Sequence, residues 1–232
     1  MTIYRLDHGH PSEVDLPALV GPLGTELNEL SGLLGDLVPS GIVLDAGTCQ
    51  QLAVSGWSDE LRAELVAAVA GIESDTAASL DDSKSPLLLA VRPGFVGRYL
   101  GMPDTLLNLG LIGEVVDIST STSVAQLDSW RRYLEDFGRI ALGIEATEFQ
   151  ATVDAAASLV RSDTDLPADL LVHICGRHLD VIDRNGGLAA SSLQQLEVVL
   201  KTKADAWCDE RAAIRRARLG VAVGSVSIIV QA

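Results

Sequence analysis

The stretch Leu87 to Leu111, LLLAVRPGFVGRYLGMPDTLLNLGL, decides how the chain is read. Leu87 to Val91 is a continuous apolar run of strand length, as expected for a strand buried in a sheet. It runs into a loop punctuated by glycines that carries Arg92, Arg98, Tyr99 and Asp104, the layout of an anion-binding or catalytic loop. Arg92, at the end of a buried strand, has a rigid support for a guanidinium that can grip a carboxylate, a phosphate or an enolate oxygen; an internal ion pair is the competing reading. Asp104 follows the Gly101-Met102-Pro103 bend and is the candidate general acid or base, close to Arg92. Its alternative role is the N-cap of a helix over Thr105 to Gly110. Arg98 and Tyr99 add a cation and a phenol to the same cleft. With Arg92, Asp104 and Tyr99 as the catalytic candidates, the substrate-binding set is Arg98, Gly101, Met102, Thr105, Asn108 and Arg132. Arg131 and Arg132 are neighbours on a helix and so cannot both face that cleft.

Upstream, Leu23, Leu27, Leu30 and Leu34 recur at helical spacing and predict a helix near 24–35. Ile42-Val43-Leu44 reads as a strand, and Ser58 caps a helix carrying Leu61, Leu65, Val69 and Ile72. Downstream, Leu127, Trp130, Leu134, Phe137, Ala141 and Ile144 mark an unbroken amphipathic helix. Pro167 opens another, closed by Asn185-Gly186-Gly187, and the Ser191/Gln194 pair opens a third that runs through Leu196, Leu200, Trp207 and Ile214. Val226 to Val230 has strand composition, and its natural place is the sheet begun by Leu87 to Val91. The expected organisation is an α/β lobe over 1–122, a helical subdomain over 123–218 and a returning strand over 219–232.

With 232 residues, 47% of them hydrophobic, the chain can bury a sizeable core. No apolar run approaches the roughly 20 residues that span a bilayer, and the first ten residues lack the layout of a signal peptide, so a cytoplasmic location is expected. The formal charge of −15 opposes binding to nucleic acid or to anionic membrane surfaces. Three scattered cysteines, Cys49, Cys175 and Cys208, form no disulfide framework. No metal site is expected: the His8/His10 pair lacks further ligands, and His173 and His178 lie on or beside an apolar helical stripe.

Val91-Arg92-Pro93-Gly94, Leu100-Gly101-Met102-Pro103-Asp104-Thr105 and Leu107-Asn108-Leu109-Gly110 together resemble the V-R-S-G strand end and the M-P-G-M-M-D-T-x-L-N-L-G loop of the pyruvate phosphate dikinase family. Val38-Pro39-Ser40-Gly41 resembles that family's V-P-P-G turn, and Ser129 to Tyr133 its Y-R-R-F helix. Asp163 to Leu166 resembles its D-T-D-L segment, Ile214-Arg215-Arg216 its Y-R-R helix, and Val226 to Gln231 its A-V-N-V-Q strand. The order and spacing agree over nearly the whole chain. The resemblance implies an α+β fold: a truncated ATP-grasp-like N-terminal lobe, with a small mixed sheet and flanking helices, plus a helical subdomain.

The resemblance also implies a change of function. A lysine in the family's G-G-K-G turn contacts nucleotide phosphates, whereas the matching residues here are Gly21-Pro22-Leu23-Gly24, and Pro93 replaces the serine of V-R-S-G. The family's second lobe, with its metal-binding acids, has no counterpart here. The expectation is a stand-alone domain without dikinase activity, cofactor, or firm ATP and magnesium binding. Its cleft would serve ATP-independent chemistry on a small-molecule substrate, a cyclisation, elimination or rearrangement in specialised metabolism. Two alternatives stay open: a non-catalytic scaffold that docks a partner or a second copy through the uncovered cleft, and an ATP-binding half-site completed by a separate chain.

Overall fold

The computed structural model describes residues 3–6, 16–82, 85–94, 104–111, 123–157, 167–218, 220 and 227–232. Its strands are β1 (Ile3–Arg5), β2 (Gly41–Leu44), β3 (Leu89–Pro93), β4 (Leu106–Leu109) and β5 (Ile228–Gln231). The helices are α1 (Leu16–Leu34), α2 (Ala46–Ser55), α3 (Asp59–Thr76), α4 (Val124–Ala141), α5 (Ala146–Ala157), α6 (Ala168–Arg184), α7 (Ser192–Cys208) and α8 (Glu210–Arg218), and a 3-10 turn, Gly35–Leu37, follows α1. The class is α+β, as the resemblance implies. The sheet runs β1-β2-β5-β3-β4 with every pairing antiparallel, so it is not the mixed sheet expected. The terminal strand does join β3, with Val91 opposite Val230 and Arg92 opposite Ile229.

Alternation along the strands divides the structure into layers. Ile42, Leu44, Leu89, Val91, Ile228 and Val230 belong to one buried cluster that continues into α2, α3, α4, α6 and α7. Val43 and Ile229 point the other way, onto Leu6 and Val20, with Leu19, Leu23 and Leu27 of α1 packed against them. Every described element between 123 and 218 is a helix, and this helical section shares one core with the sheet. Among the described residues no helix is long and apolar enough to cross a membrane.

Local chemistry sets most boundaries. Ser58 accepts from the Leu61 amide and Asp45 from that of Thr48, while Ser123 and Gln126 form a reciprocal capping box. Four expectations are corrected. The helix foreseen near 24–35 starts at Leu16 and kinks at Gly21, whose φ of 72° is followed by Pro22. The stretch to Ile144 breaks at Gly143 (φ 67°), and the third helix breaks at the extended residue Asp209 before α8. Thr105 to Gly110 contains a strand instead of a helix, because Leu106 and Leu109 pair with Val91 and Leu89, and Asn108 (φ 60°) and Gly110 (φ 117°) adopt angles no helix allows.

Two positions give direct tests of the packing. A Cβ on Gly110 would stand 2.0 Å from the Leu87 carbonyl oxygen, in backbone that disfavours side chains. Gly110→Ala is expected to lower unfolding free energy by about 2 kcal/mol or more in urea denaturation; an unchanged midpoint would contradict this close turn. His178 is fully buried, edge-on to Phe149 with ring centroids 5.0 Å apart, and burial pulls its pKa down to about 4. Its folded pKa lies below the unfolded value of about 6.5, so its contribution is intact above pH ~6.5 and is lost as pH falls towards 4, by up to about 3 kcal/mol. His178→Leu should flatten that acid limb in pH-dependent denaturation, and an identical acid profile would refute the assignment.

Candidate functional site

Two of the motifs meet at the end of β3. The kink at Gly21 turns Pro22, Leu23 and Gly24 towards the strand end, where the Leu23 amide donates to the Gly94 carbonyl at 3.3 Å. The Gly94 amide donates to the Ser227 carbonyl at 2.8 Å, and the Ser227 hydroxyl donates to the Val20 carbonyl. A Cβ on Gly94 would sit 1.8 Å from Ser227 Oγ, so this approach requires glycine. Leu23 brings an apolar side chain to this turn, packed with the small cluster under α1.

Arg92 projects from the same face of the sheet. It shares side-chain parity with Ala90, opposite Gln231, and its Nη2 donates to Gln231 Oε1. Gln231 Nε2 in turn donates to the Pro39 carbonyl at 3.0 Å, which ties the Val38-Pro39-Ser40-Gly41 turn, the last strand and Arg92 into one chain of hydrogen bonds. The buried Arg92 Nε has no hydrogen-bond partner among the described residues. A buried guanidinium nitrogen without an acceptor is costly, and the position suits an anion.

Asp104 lies on the other side. It precedes Leu106, whose partner Val91 faces the helices, and its carbonyl accepts a hydrogen bond from Lys203 Nζ of α7. Its charge raises the pKa of Asp136 on α4, after burial and Glu135, and partly offsets the burial of Lys203. The sheet therefore stands between Arg92 and Asp104, which the sequence reading placed together. Asn108 and Arg132 do come together, lining a cavity of about 300 Å³ with Leu107, Arg131, Tyr133, Glu135 and Asp136. Arg131 and Arg132 both grip Asp128, at 2.8 and 2.7 Å, so their charges are already engaged. Thr105 is exposed beside Asp104, and Arg98, Tyr99, Gly101 and Met102 lie outside the described residues, as do His8, His10 and Asp163 to Leu166. No group of three His, Cys, Asp or Glu placed to hold a metal occurs among the described residues.

Two residues of this neighbourhood escape motif reasoning. Gln231 was read only as part of a strand. Lys203 sits on the inner stripe of α7 with Leu196, Val199, Leu200, Ala204 and Trp207, and a lysine at an apolar position of the helical period was the available signal. It is fully buried, and desolvation lowers its pKa to about 8, with Asp104 opposing the shift. Because the folded pKa lies below the unfolded value of about 10.5, the penalty is full below pH ~8 and fades as pH rises to ~10.5. Lys203→Met should therefore gain stability relative to the parent at pH 7. The gap should shrink by about 2–3 kcal/mol between pH 8 and 10.5 in urea denaturation, and a constant gap would show that the amine is not desolvated.

With this geometry in hand, comparison with known proteins is informative. No family model matches the chain. It is 33% identical over 205 residues to pyruvate, phosphate dikinase 1, chloroplastic, of Arabidopsis thaliana, covering 85% of this chain and 21% of that protein. It is 32% identical over 206 residues to the chloroplastic pyruvate, phosphate dikinase of Flaveria trinervia, and 31% identical over 206 residues to pyruvate, phosphate dikinase 2 of Zea mays, covering 22% and 23% of those proteins. The chain thus spans about a fifth of the length of these curated relatives. The motifs that meet around Arg92, Gly94 and Gln231 are those that carried the resemblance, and the chain is a homologue of the pyruvate phosphate dikinases that matches a fragment of their N-terminal domain.

Proposed function

We propose that this dikinase-like domain has lost phosphoryl transfer and uses the Arg92 end of its sheet to hold a small anionic molecule without ATP. The observation that supports this is the buried Arg92 Nε, without an acceptor among the described residues, in a guanidinium that Gln231 already fixes in place. One oriented guanidinium suits a carboxylate or a single phosphate. A triphosphate needs more: positioned cations and a metal to neutralise its charge. At the matching turn Leu23 supplies no cation, and its amide is spent on the Gly94 carbonyl. Among the described residues this turn therefore suits a single small anion better than ATP.

The expected ATP-independent cyclisation, elimination or rearrangement rested on Arg92 and Asp104 acting on one molecule. With the sheet between them, Arg92 serves this reading as a binding group, and Asp104 belongs to the Lys203 and Asp136 side. Titration calorimetry with inorganic phosphate, with a short 2-oxo acid and with magnesium-ATP tests the proposal. Phosphate or the oxo acid is expected to bind and to lose at least about tenfold in affinity in Arg92→Ala, a loss of about 1.4 kcal/mol or more. Magnesium-ATP should bind no more tightly than phosphate. Binding of magnesium-ATP a hundredfold tighter than phosphate, or anion binding unaffected by Arg92→Ala, would sink the reading.

A further inference from the structure

We infer that this chain associates with a second copy of itself head to tail, the basic outer face of α8 in one molecule seating on an acidic leucine ridge along α1 in the next. The ridge lies at the far end of α1 from the Gly21–Gly24 turn. Leu30, Leu33, Leu34 and Leu37 follow one another at i, i+3, i+4 and i+7 through the end of α1 and its 3-10 turn, and they are 43%, 81%, 49% and 81% exposed. Leu23 and Leu27, one heptad nearer the N-terminus on the stripe of Leu30 and Leu34, already pack on the sheet, so the exposed ridge is not needed to hold α1 down. Four adjacent exposed leucines form an apolar surface of the kind that marks an interaction site.

The charges carried by the ridge helix and its 3-10 turn have one sign, while Arg5 lines a cavity with Gly35 and Asp36 on the flank. Glu26 and Glu29 continue the same helical stripe towards the N-terminus, and Asp36 stands beside Leu37; all three are exposed. From Leu6 to Leu61 the sequence contains no lysine or arginine. Two ridges placed face to face would bring these carboxylates together, and such a contact is self-repelling. The ridge calls for a basic, partly apolar helix.

The chain carries one. In α8, Arg211, Ile214, Arg215 and Arg218 are all exposed and fall at i, i+3, i+4 and i+7. The opposite stripe is buried: Ala212 and Arg216 face inward, with the Arg216 guanidinium 3.8 Å from the centroid of the Trp207 ring. Stacking on Trp207 anchors the helix and leaves its outer face outward. Ile214, 49% exposed at the middle of that face, is the apolar contact the leucines would receive, and the arginines would meet Glu26, Glu29 and Asp36. The lengths agree. Nine α-helical residues span about 13 Å, and Leu30 to Leu37, part α-helix and part 3-10, spans about the same. Because the two patches differ, the contact is heterologous and builds a ring or an open chain of copies instead of a two-fold dimer through one patch.

Sedimentation of the full chain tests this. Association is expected to be reversible and concentration-dependent, and to weaken at least about tenfold between ~20 mM and ~500 mM salt as the charges are screened. Arg211→Glu with Arg215→Glu, and separately Glu26→Lys with Glu29→Lys, should each give a folded monomer, since every altered side chain is exposed. Mixing the two charge-reversed chains should restore association, because each then meets a patch of opposite sign. The inference is overturned if the parent chain stays monomeric up to ~100 μM at low salt, a range in which weak specific contacts are populated. It is equally overturned if either variant associates as the parent does, or if the mixture stays monomeric while the parent associates.

Discussion

The sheet depends on the insertion of β5 between β2 and β3. Ile228–Gln231 pairs with Gly41–Leu44 on one edge and with Ala90–Pro93 on the other, and all four of its residues are buried. Without it, β1-β2 and β3-β4 share no hydrogen bond within the sheet, and the core that spans both loses its floor. The pairing of Leu44 with Ile228 joins residues far apart in sequence, so most of the loop-closure entropy of the sheet must be met in this step. Gln231 secures the arrangement. Burying an amide is costly unless its groups are satisfied, and here its oxygen accepts from Arg92 while its nitrogen donates to the Pro39 carbonyl.

That insertion also explains why the motifs shared with the dikinases sit where they do. A Cβ on Gly41, the last residue of the Val38-Pro39-Ser40-Gly41 turn, would come 2.7 Å from the Val230 carbonyl, and one on Gly94 would strike Ser227. Both glycines are required by the approach of the final strand and its lead-in. These motifs therefore have a packing reason independent of any nucleotide, and they carry the fold. Chemistry depends on the side chains added to that frame. Position 23 carries leucine and position 92 carries arginine, and the proposed binding rests on these two residues more than on the glycines.

What could be read from the chain follows the range of the forces involved. Caps act within four residues, so Ser58 and Ser191 announced two helix starts. Apolar periodicity exposed the cores of α3, α4, α6 and α7. The β4 strand was missed because Thr105 to Gly110 takes its conformation from distant partners, Leu89 and Val91. A local reading of Asp before an apolar run favours a cap, whereas pairing with β3 buries Leu106 and Leu109 together. The separation of Arg92 from Asp104 is a matter of parity. One residue of register exchanges the faces of a strand, and that register follows from the pairing of Val91 with Leu106, which no loop motif encodes.

Electrostatics sharpen the consequence of that parity. Several described cations of this acidic chain are engaged in partly exposed pairs, such as Arg5 with Asp75, Arg62 with Glu197 and Lys201 with Asp205, each worth at most about 1 kcal/mol. Two cations differ in kind and lie on opposite sides of the sheet. Lys203 is fully buried and its ammonium is disfavoured, so it acts on the chain internally, holding the Asp104 carbonyl where the strand β4 begins. Arg92 still has one buried donor that no described residue accepts from. In the proposed function an anion would approach from the α1 side, where Arg92 stands at a turn that supplies no second cation among the described residues. On the helical side, buried Lys203 spends its charge on holding the backbone together.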